Sequence, residues 1–214
     1  MKQHSEIPPY ILPVKAITVL VIFLSMVGIV TSGFDDRNNF KLSDGKHGDI
    51  IKDSIASVKA FMNVYKVLMS PRCMNCHPAG DIPLQGDDSH VHAMNVKRGP
   101  DGKGLYALKC SNCHQPANTP GLNMPPGNPN WHLPPENMKM VFEGKSAKEL
   151  ATQLLDMDRN GGKTKKQLVE HVTSDKLVLG GWNPGEGRTL PPLTHKEFAQ
   201  QFKLWIESGA YAPD

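Results

Sequence analysis

Two pentapeptides dominate this chain: Cys73-Met-Asn-Cys76-His77 and Cys110-Ser-Asn-Cys113-His114. They contain all four cysteines of the 214 residues, and in each copy a histidine directly follows the second cysteine. Residues three and four apart on a helical turn share a face, so both thiols and the imidazole of one copy can reach the same planar group. The spacing therefore predicts two equivalent attachment sites on one chain.

The C-x-x-C-H pattern is the attachment signature of c-type haem, in which two thiols form thioethers and the histidine ligates the iron from one side. Zinc held by the two cysteine pairs is an alternative, but it leaves His77 and His114 without a role. Two disulfides, or a thioredoxin-like redox motif, are further alternatives, and the latter needs a βαβ context that the sequence lacks. The sequence favours two covalent haems. The predicted attachment residues are Cys73, Cys76, His77, Cys110, Cys113 and His114.

These residues resemble the haem-binding sites of c-type cytochromes. That resemblance implies export, covalent haem, a mostly helical body and electron transfer. The longer stretch 72–213, with Arg98-Gly99-x-Asp101-Gly102-x-Gly104 and Gly-Gly-Trp-Asn-Pro-Gly at 180–185, also resembles small exported dihaem proteins sometimes catalogued as an isoquinoline 1-oxidoreductase subunit. The activity in that label does not transfer, because it would need molybdenum and iron–sulfur sites and no cysteine is left to hold a cluster.

The N-terminus predicts export. Lys2 and Lys15 precede an uncharged run, 16–30, which is followed by small polar residues and then by two aspartates. This order is typical of a secretory signal. We interpret 1–33 as a cleaved signal peptide or, if it is kept, as an inner-membrane anchor through residues 11–30, and 34–47 as a polar tether. Both interpretations place the body, 48–214, in the periplasm, and the membrane is a partner only if the segment is retained.

Helical patterns flank the two motifs. Apolar positions recur at three and four from residue 49 to residue 69, which predicts a helix that delivers Cys73. Three capping boxes each open an amphipathic run. The boxes are Ser146 with Glu149, Thr164 with Gln167 and Thr194 with Glu197, and the runs are 147–156, 165–178 and 195–208.

Long irregular segments separate these helices. Residues 80–104 are rich in Asp and Gly, and residues 115–137 are rich in Pro, so neither segment can form a long helix or a central strand. Such segments can wrap a flat prosthetic group. We therefore predict a mostly α chain, a cytochrome c-like helical body whose long irregular Pro/Gly-rich loops wrap two haems.

The second axial ligand of each iron decides its potential and reactivity. We predict His92 for the first haem, because it lies in the loop immediately downstream of the first motif and can fold back. We predict His171 for the second haem, because it lies on the run 165–178, where apolar neighbours could pack beside a buried iron. The alternatives that the sequence leaves open are Met94, Met124, Met140, His90 and His132.

The charge balance argues against a nucleic-acid partner, since 24 basic and 21 acidic residues give only +3. Lys97 and Arg98 could pair with haem propionates or dock an acidic partner, and a solvated surface is the favoured interpretation. We predict electron transfer, as a periplasmic carrier or as the electron-transfer subunit of a redox complex. Its partners would be redox proteins acting as donor and acceptor, such as a periplasmic or membrane-bound dehydrogenase or oxidase. The alternative is a haem enzyme similar to dihaem peroxidases, with one open iron coordination site, and a third class is a zinc-stabilised binding module.

Overall fold

The computed structural model describes residues 44–214, and for 44–47 and 49–51 it describes only the backbone. The predicted export segment 1–33 and residues 34–43 of the predicted tether lie outside the described residues. Among residues 44–214, no helix is both long enough and apolar enough to cross a membrane. The described chain is mostly helical and has only two-residue strands, as the sequence predicts at this coarse level.

The longest helix, α1 (Asp44–Leu68), packs against α6 (His195–Glu207). The ring centres of Phe61 and Trp205 are 4.6 Å apart across this interface. The hydroxyl of Ser57 donates to the Trp205 carbonyl and accepts from the Tyr211 N–H, both at 3.0 Å. Helix α1 begins inside the segment predicted to be a tether, and no proline interrupts 44–68.

All three predicted capping boxes are present, each with both of its reciprocal hydrogen bonds. They open α3 (Ala147–Leu155), α4 (Lys165–Ser174) and α6. The predicted run 165–178 is broken, because Asp175 has extended backbone (ψ 122°) and ends α4. Its side chain accepts from the Leu177 N–H at 2.8 Å and so begins a further short helix, α5 (Lys176–Leu179).

The hydrophobic core lies among α1, α3, α4 and α6. Its buried side chains come from all four helices, from Phe142, which precedes α3, and from Ala210, which follows α6. Burial of this apolar area is the main stabilising contribution to the helical part. The core residues are Ala60, Phe61, Val64, Val67, Leu68, Phe142, Leu150, Ala151, Leu154, Leu168, Val172, Phe198, Phe202, Trp205 and Ala210.

The segment that carries the two motifs is irregular. It holds the short helix α2 (Pro71–Met74) and two small antiparallel pairs, β1 (Leu84–Gln85) with β2 (His90–Val91) and β3 (Gly104–Leu105) with β4 (Leu108–Lys109). Three single turns of 3₁₀ helix span Cys110–Asn112, Glu136–Met138 and Gly180–Trp182. Within the described part of the chain, few apolar side chains between residues 78 and 139 are buried, among them Pro78, Leu84, Cys110 and Leu133.

The backbones of Gly102 and Leu133 approach each other closely beside Cys110 of the second motif. Gly102 accepts a hydrogen bond from the Leu133 N–H at 2.9 Å, and the Cys110 sulfur lies 3.9 Å from the same glycine carbonyl. A Cβ on Gly102 would lie 1.9 Å from the Leu133 carbonyl oxygen, and its φ of +74° is left-handed. Only glycine fits this position.

Candidate functional site

The first motif forms one helical turn. Helix α2 begins with Pro71, whose missing N–H is not needed in a first turn. The turn continues through hydrogen bonds from the Cys76 N–H to the Cys73 carbonyl (3.2 Å) and from the His77 N–H to the Met74 carbonyl (2.9 Å). The backbone thus fixes both cysteines and the histidine relative to one another.

The second motif lies on a turn of 3₁₀ helix. The Cys113 N–H donates to the Cys110 carbonyl at 3.2 Å, and the His114 N–H donates to the same carbonyl at 2.9 Å. The two motifs therefore share the hydrogen bond between their cysteines, whereas the N–H of the histidine bonds three residues back in the first motif and four residues back in the second.

Both motif histidines donate from Nδ1 to a backbone carbonyl. The His77 Nδ1 lies 2.7 Å from the Met140 oxygen, and the His114 Nδ1 lies 2.7 Å from the Pro126 oxygen. A carbonyl oxygen only accepts, so each Nδ1 carries the proton and each neutral ring has its lone pair on Nε2. Within the described residues neither Nε2 makes a hydrogen bond, which leaves both as ready metal ligands with a fixed tautomer.

Burial keeps these rings neutral. It lowers the pKa of His77 to about 4, and it also lowers the pKa of His114. Burying a protonated imidazole costs desolvation free energy, whereas the neutral ring loses little. The neutral form is the one that ligates a metal.

Each motif histidine also stacks flat on an aromatic side chain. The ring centres of His77 and Phe142 are 3.9 Å apart with planes 9° apart, and those of His114 and Trp131 are 4.1 Å apart with planes 7° apart. The Phe142 N–H donates to the His77 carbonyl at 2.8 Å, which ties the first pair together through the backbone as well. Sequence reasoning missed both aromatic residues, because no spacing rule connects them to the motifs.

His92 lies beside the second motif. The ring centres of His92 and His114 are 6.4 Å apart with planes 62° apart. The sequence pairs His92 with the first haem on the ground of chain proximity, while its ring contact among the described residues is with His114. The β1–β2 hairpin pairs Leu84 with Val91 and so returns the chain before His92 is reached.

His171 forms an ion pair with a carboxylate at the end of its own helix. Its Nδ1 lies 3.0 Å from the Asp175 Oδ2, the carboxylate that ends α4. Burial lowers the pKa of His171, and the charge of His171 in turn contributes to lowering the pKa of His77.

The methionine candidates lie in poorer positions for ligation. Met94 is 60% exposed and Met124 is 42% exposed. Met140 contributes its carbonyl to the Nδ1 side of His77, and its side chain packs on the helical core.

The remaining histidine candidates are engaged locally. The His90 Nδ1 lies 2.6 Å from the Asp88 carboxylate on an exposed turn. The His132 Nδ1 lies 2.6 Å from the Asn130 carbonyl. Neither has a ring contact with His77 or His114 among the described residues.

The four cysteines are unpaired within the described chain. Burial raises the pKa of Cys73 to about 12 and that of Cys76 to about 11, so both are thiols at neutral pH. The Cys110 thiol also contributes to raising the pKa of Cys76. Among residues 44–214, no three His, Cys, Asp or Glu side chains form a group that could hold a metal ion by themselves.

Arg98 is buried beside the first motif, contrary to the expectation of a solvated surface residue. It is 1% exposed, and its guanidinium donates to the carbonyls of Pro134 (2.6 Å) and Gly80 (3.1 Å). Its Nε has no hydrogen-bond partner in the described part of the chain, although the Asp81 carboxylate lies 3.9 Å away. A buried donor left unpaired costs about 1–3 kcal/mol, which an additional acceptor would relieve.

Arg72, within the turn before Cys73, has the same feature. It forms an ion pair with Asp87 at 2.5 Å, and its side chain is almost fully buried. Its Nε also lacks a partner in the residues that the structure describes. Two buried guanidinium groups with unpaired donors thus lie close to the first motif.

Comparison with known proteins gives no match: no protein-family model, no curated protein and no solved structure is detectably similar to this chain.

Proposed function

We propose that this protein is a dihaem electron-transfer protein that carries two c-type haems, one attached at each motif. The duplicated histidine geometry is the observation that carries the proposal. In both motifs a backbone carbonyl fixes Nδ1, an aromatic ring fixes the plane, and burial favours the neutral form. A catalytic or structural histidine has no general need for all three, whereas an iron ligand benefits from each.

The cysteines supply the covalent part of the attachment. Each thiol would add across one haem vinyl group, with a sulfur–carbon bond formed and the thiol hydrogen passing to the other vinyl carbon. No atom leaves and no oxidant is consumed. Cys73 with Cys76 and Cys110 with Cys113 would hold one haem each, and the holoprotein would have the mass of the polypeptide plus two intact haems.

The rest of the motif segment supports this assignment. Bound haem supplies reversible one-electron chemistry at its iron. His77 and His114 would hold the iron through Nε2, while Phe142 and Trp131 keep each imidazole from rotating. The unpaired Nε donors of Arg72 and Arg98 suit the haem carboxylates, because guanidinium groups bind carboxylates well.

The cytochrome c-like body follows as part of the same proposal. The loops between residues 78 and 139 bury few apolar side chains of their own, and two porphyrins would add the missing apolar surface. The irregular, Pro- and Gly-rich backbone of these loops can follow the outline of a flat group. The helices outside the loops then act as the scaffold that positions both motifs.

Export and redox partners complete the proposed role. The signal-like pattern at 1–33 places the protein in the periplasm, where it would accept an electron at one haem edge and release it from the other. Its partners are redox proteins, as a free carrier or as a subunit beside a dehydrogenase or oxidase. A zinc module would need converging ligands, and its support is weak because the described residues contain no group of three.

The test is haem content together with spin state. The full chain is produced in a host with a cytochrome c maturation apparatus, and the denatured protein is assayed as a pyridine haemochrome. Two haems that stay attached through acid-acetone extraction, both low-spin in the oxidised and reduced states, are the expected result. A high-spin ferric component with peroxide turnover would replace electron transfer by the peroxidase-like function, and a protein without attached haem would overturn the proposal.

A further inference from the structure

We propose that the imidazole of His92 is the second axial ligand of the iron at the second motif, opposite His114, so that this haem has two histidine ligands. The inference deepens the proposed function and rests on it. It differs from the pairing that chain proximity predicts, because the ring that lies near His92 among the described residues is that of His114.

The distance between the two rings fits one metal ion between them. An imidazole nitrogen binds a first-row divalent metal at about 2.0–2.1 Å, and a five-membered ring with bonds of about 1.33 Å has each atom ~1.1 Å from its centre. Two imidazoles on opposite sides of one ion therefore have ring centres about 6.2–6.5 Å apart. The observed separation of His92 and His114 is 6.4 Å.

In both rings the described hydrogen bond is at Nδ1, which suits ligation of a metal ion through Nε2. The His114 Nδ1 is held by the Pro126 carbonyl at 2.7 Å, so only Nε2 can face a metal. The only described hydrogen bond to the His92 ring is a long one, 3.3 Å from the Met94 N–H to Nδ1. Ligation through the His92 Nε2 would leave a proton on Nδ1 and would break only that weak contact.

The backbone holds His92 at this place from both sides. Its N–H donates to the Pro83 carbonyl at 2.9 Å, and its carbonyl accepts from the Asn95 N–H at 2.9 Å. The next N–H, of Ala93, donates to the Gln85 side chain at 3.0 Å. The ligand position is thus set by the hairpin itself, which lowers the entropy cost of bringing the imidazole to the iron.

The neighbouring His90 provides a matched control. It is the first residue of β2 and is exposed. Its Nδ1 lies 2.6 Å from the Asp88 carboxylate. His90→Ala removes a histidine from the same hairpin without touching the proposed pair. His92→Ala and His92→Met are the test variants.

The experiment compares electron paramagnetic resonance of the oxidised holoproteins with carbon monoxide binding to the reduced ones. We expect two haems per chain in all variants and two low-spin signals in the wild type and in His90→Ala. In His92→Ala one low-spin signal is lost, a high-spin signal of equal intensity replaces it, and one carbon monoxide binds per chain. Added imidazole restores the low-spin signal, and His92→Met is low-spin with one raised potential, because methionine ligation raises the potential of a haem.

The outcomes separate this inference from the proposed function. Two unchanged low-spin signals in His92→Ala overturn the assignment of His92 while leaving the dihaem protein in place. A wild type without attached haem overturns the proposed function itself. If His92→Ala folds poorly, His92→Met decides alone, since an unchanged pair of potentials in that variant contradicts the assignment.

Discussion

The imidazole of His114 lies flat against the indole of Trp131, with ring centres 4.1 Å apart and planes 7° apart. Stacked aromatic pairs contribute about 0.5–1.5 kcal/mol beyond their buried area. We predict that Trp131→Leu lowers the free energy of unfolding by about 1 kcal/mol and broadens the low-spin signal of one haem, because the ring of His114 can then rotate. Trp131→Phe keeps the stack and is the control. Urea unfolding and electron paramagnetic resonance measure both effects, and an unaltered signal in Trp131→Leu would show that the stack does not orient the ligand.

Met140 acts through its backbone, since its carbonyl oxygen accepts the His77 Nδ1 proton at 2.7 Å. Met140→Leu retains that carbonyl and nearly the same volume, so the cost should stay below about 1.5 kcal/mol. We predict two low-spin haems in this variant, measured by the absorption spectrum of the oxidised protein. A new high-spin haem would mean instead that the Met140 sulfur is an iron ligand.

Gly102, near the second motif, should tolerate no side chain. Gly102→Ala places a Cβ 1.9 Å from the Leu133 oxygen at a left-handed φ of +74°. We expect a loss of about 3 kcal/mol in the free energy of unfolding, from overlap and strain together. Gly144→Ala is matched, because its φ is +71° but a Cβ there meets nothing within 4 Å, and it should cost only about 1 kcal/mol. Equal losses in the two variants would contradict the close approach of Leu133 to Gly102.

The capping box of α6 predicts a specific acid sensitivity. Hydrogen bonds from the Thr194 side chain and backbone lower the pKa of Glu197, so its charged form is favoured in the folded state. The contribution of Glu197 to the free energy of unfolding is therefore complete above its unfolded-state pKa of about 4.3. It is lost as the pH falls through the lower folded-state pKa.

The equivalent capping box of α4 has Gln167 in place of a glutamate. Because Gln167 does not titrate, the two boxes can serve as controls for each other. Glu197→Gln should remove part of the acid dependence of unfolding, and Gln167→Glu should add to it. Thermal unfolding of both variants between pH 3 and pH 7 measures the difference. Parallel stability curves for wild type and Glu197→Gln would contradict the role of this carboxylate.

The distribution of buried side chains predicts a two-part apoprotein. The helical core contains fully buried residues such as Phe61, Phe202 and Trp205, whereas residues 78–139 bury few apolar side chains. Replacing all four cysteines by serine should leave most helical circular dichroism intact but make 78–139 the first region cut by protease. Cleavage within α1 or α6 at the same rate would show that the helices also depend on the haems.

Local signals in the sequence were enough for much of the fold. Each capping box is a four-residue pattern with its own hydrogen bonds, so Ser146, Thr164 and Thr194 identify helix starts without tertiary information. The break at Asp175 was missed because an aspartate within an amphipathic run has no distinctive pattern until its backbone leaves the helix.

Relationships across the chain were out of reach of the sequence. The stacks of Phe142 and Trp131 on the motif histidines depend on how the irregular loops return, and no periodicity encodes that return. Pairing His92 with the first motif rests on chain proximity, and no periodicity in the sequence indicates that its ring lies 6.4 Å from that of His114. Arg98 was expected at the surface because burying a guanidinium is costly, and only the carbonyls of Gly80 and Pro134 explain how it is accommodated.

Intact-mass measurement of the chain, purified under denaturing conditions after production with a maturation apparatus, tests the central claim most directly. The account predicts a mass equal to the polypeptide plus two haems, falling by one haem in Cys73→Ser/Cys76→Ser and by one haem in Cys110→Ser/Cys113→Ser. A colourless wild-type chain with the mass of its amino acids alone would contradict it.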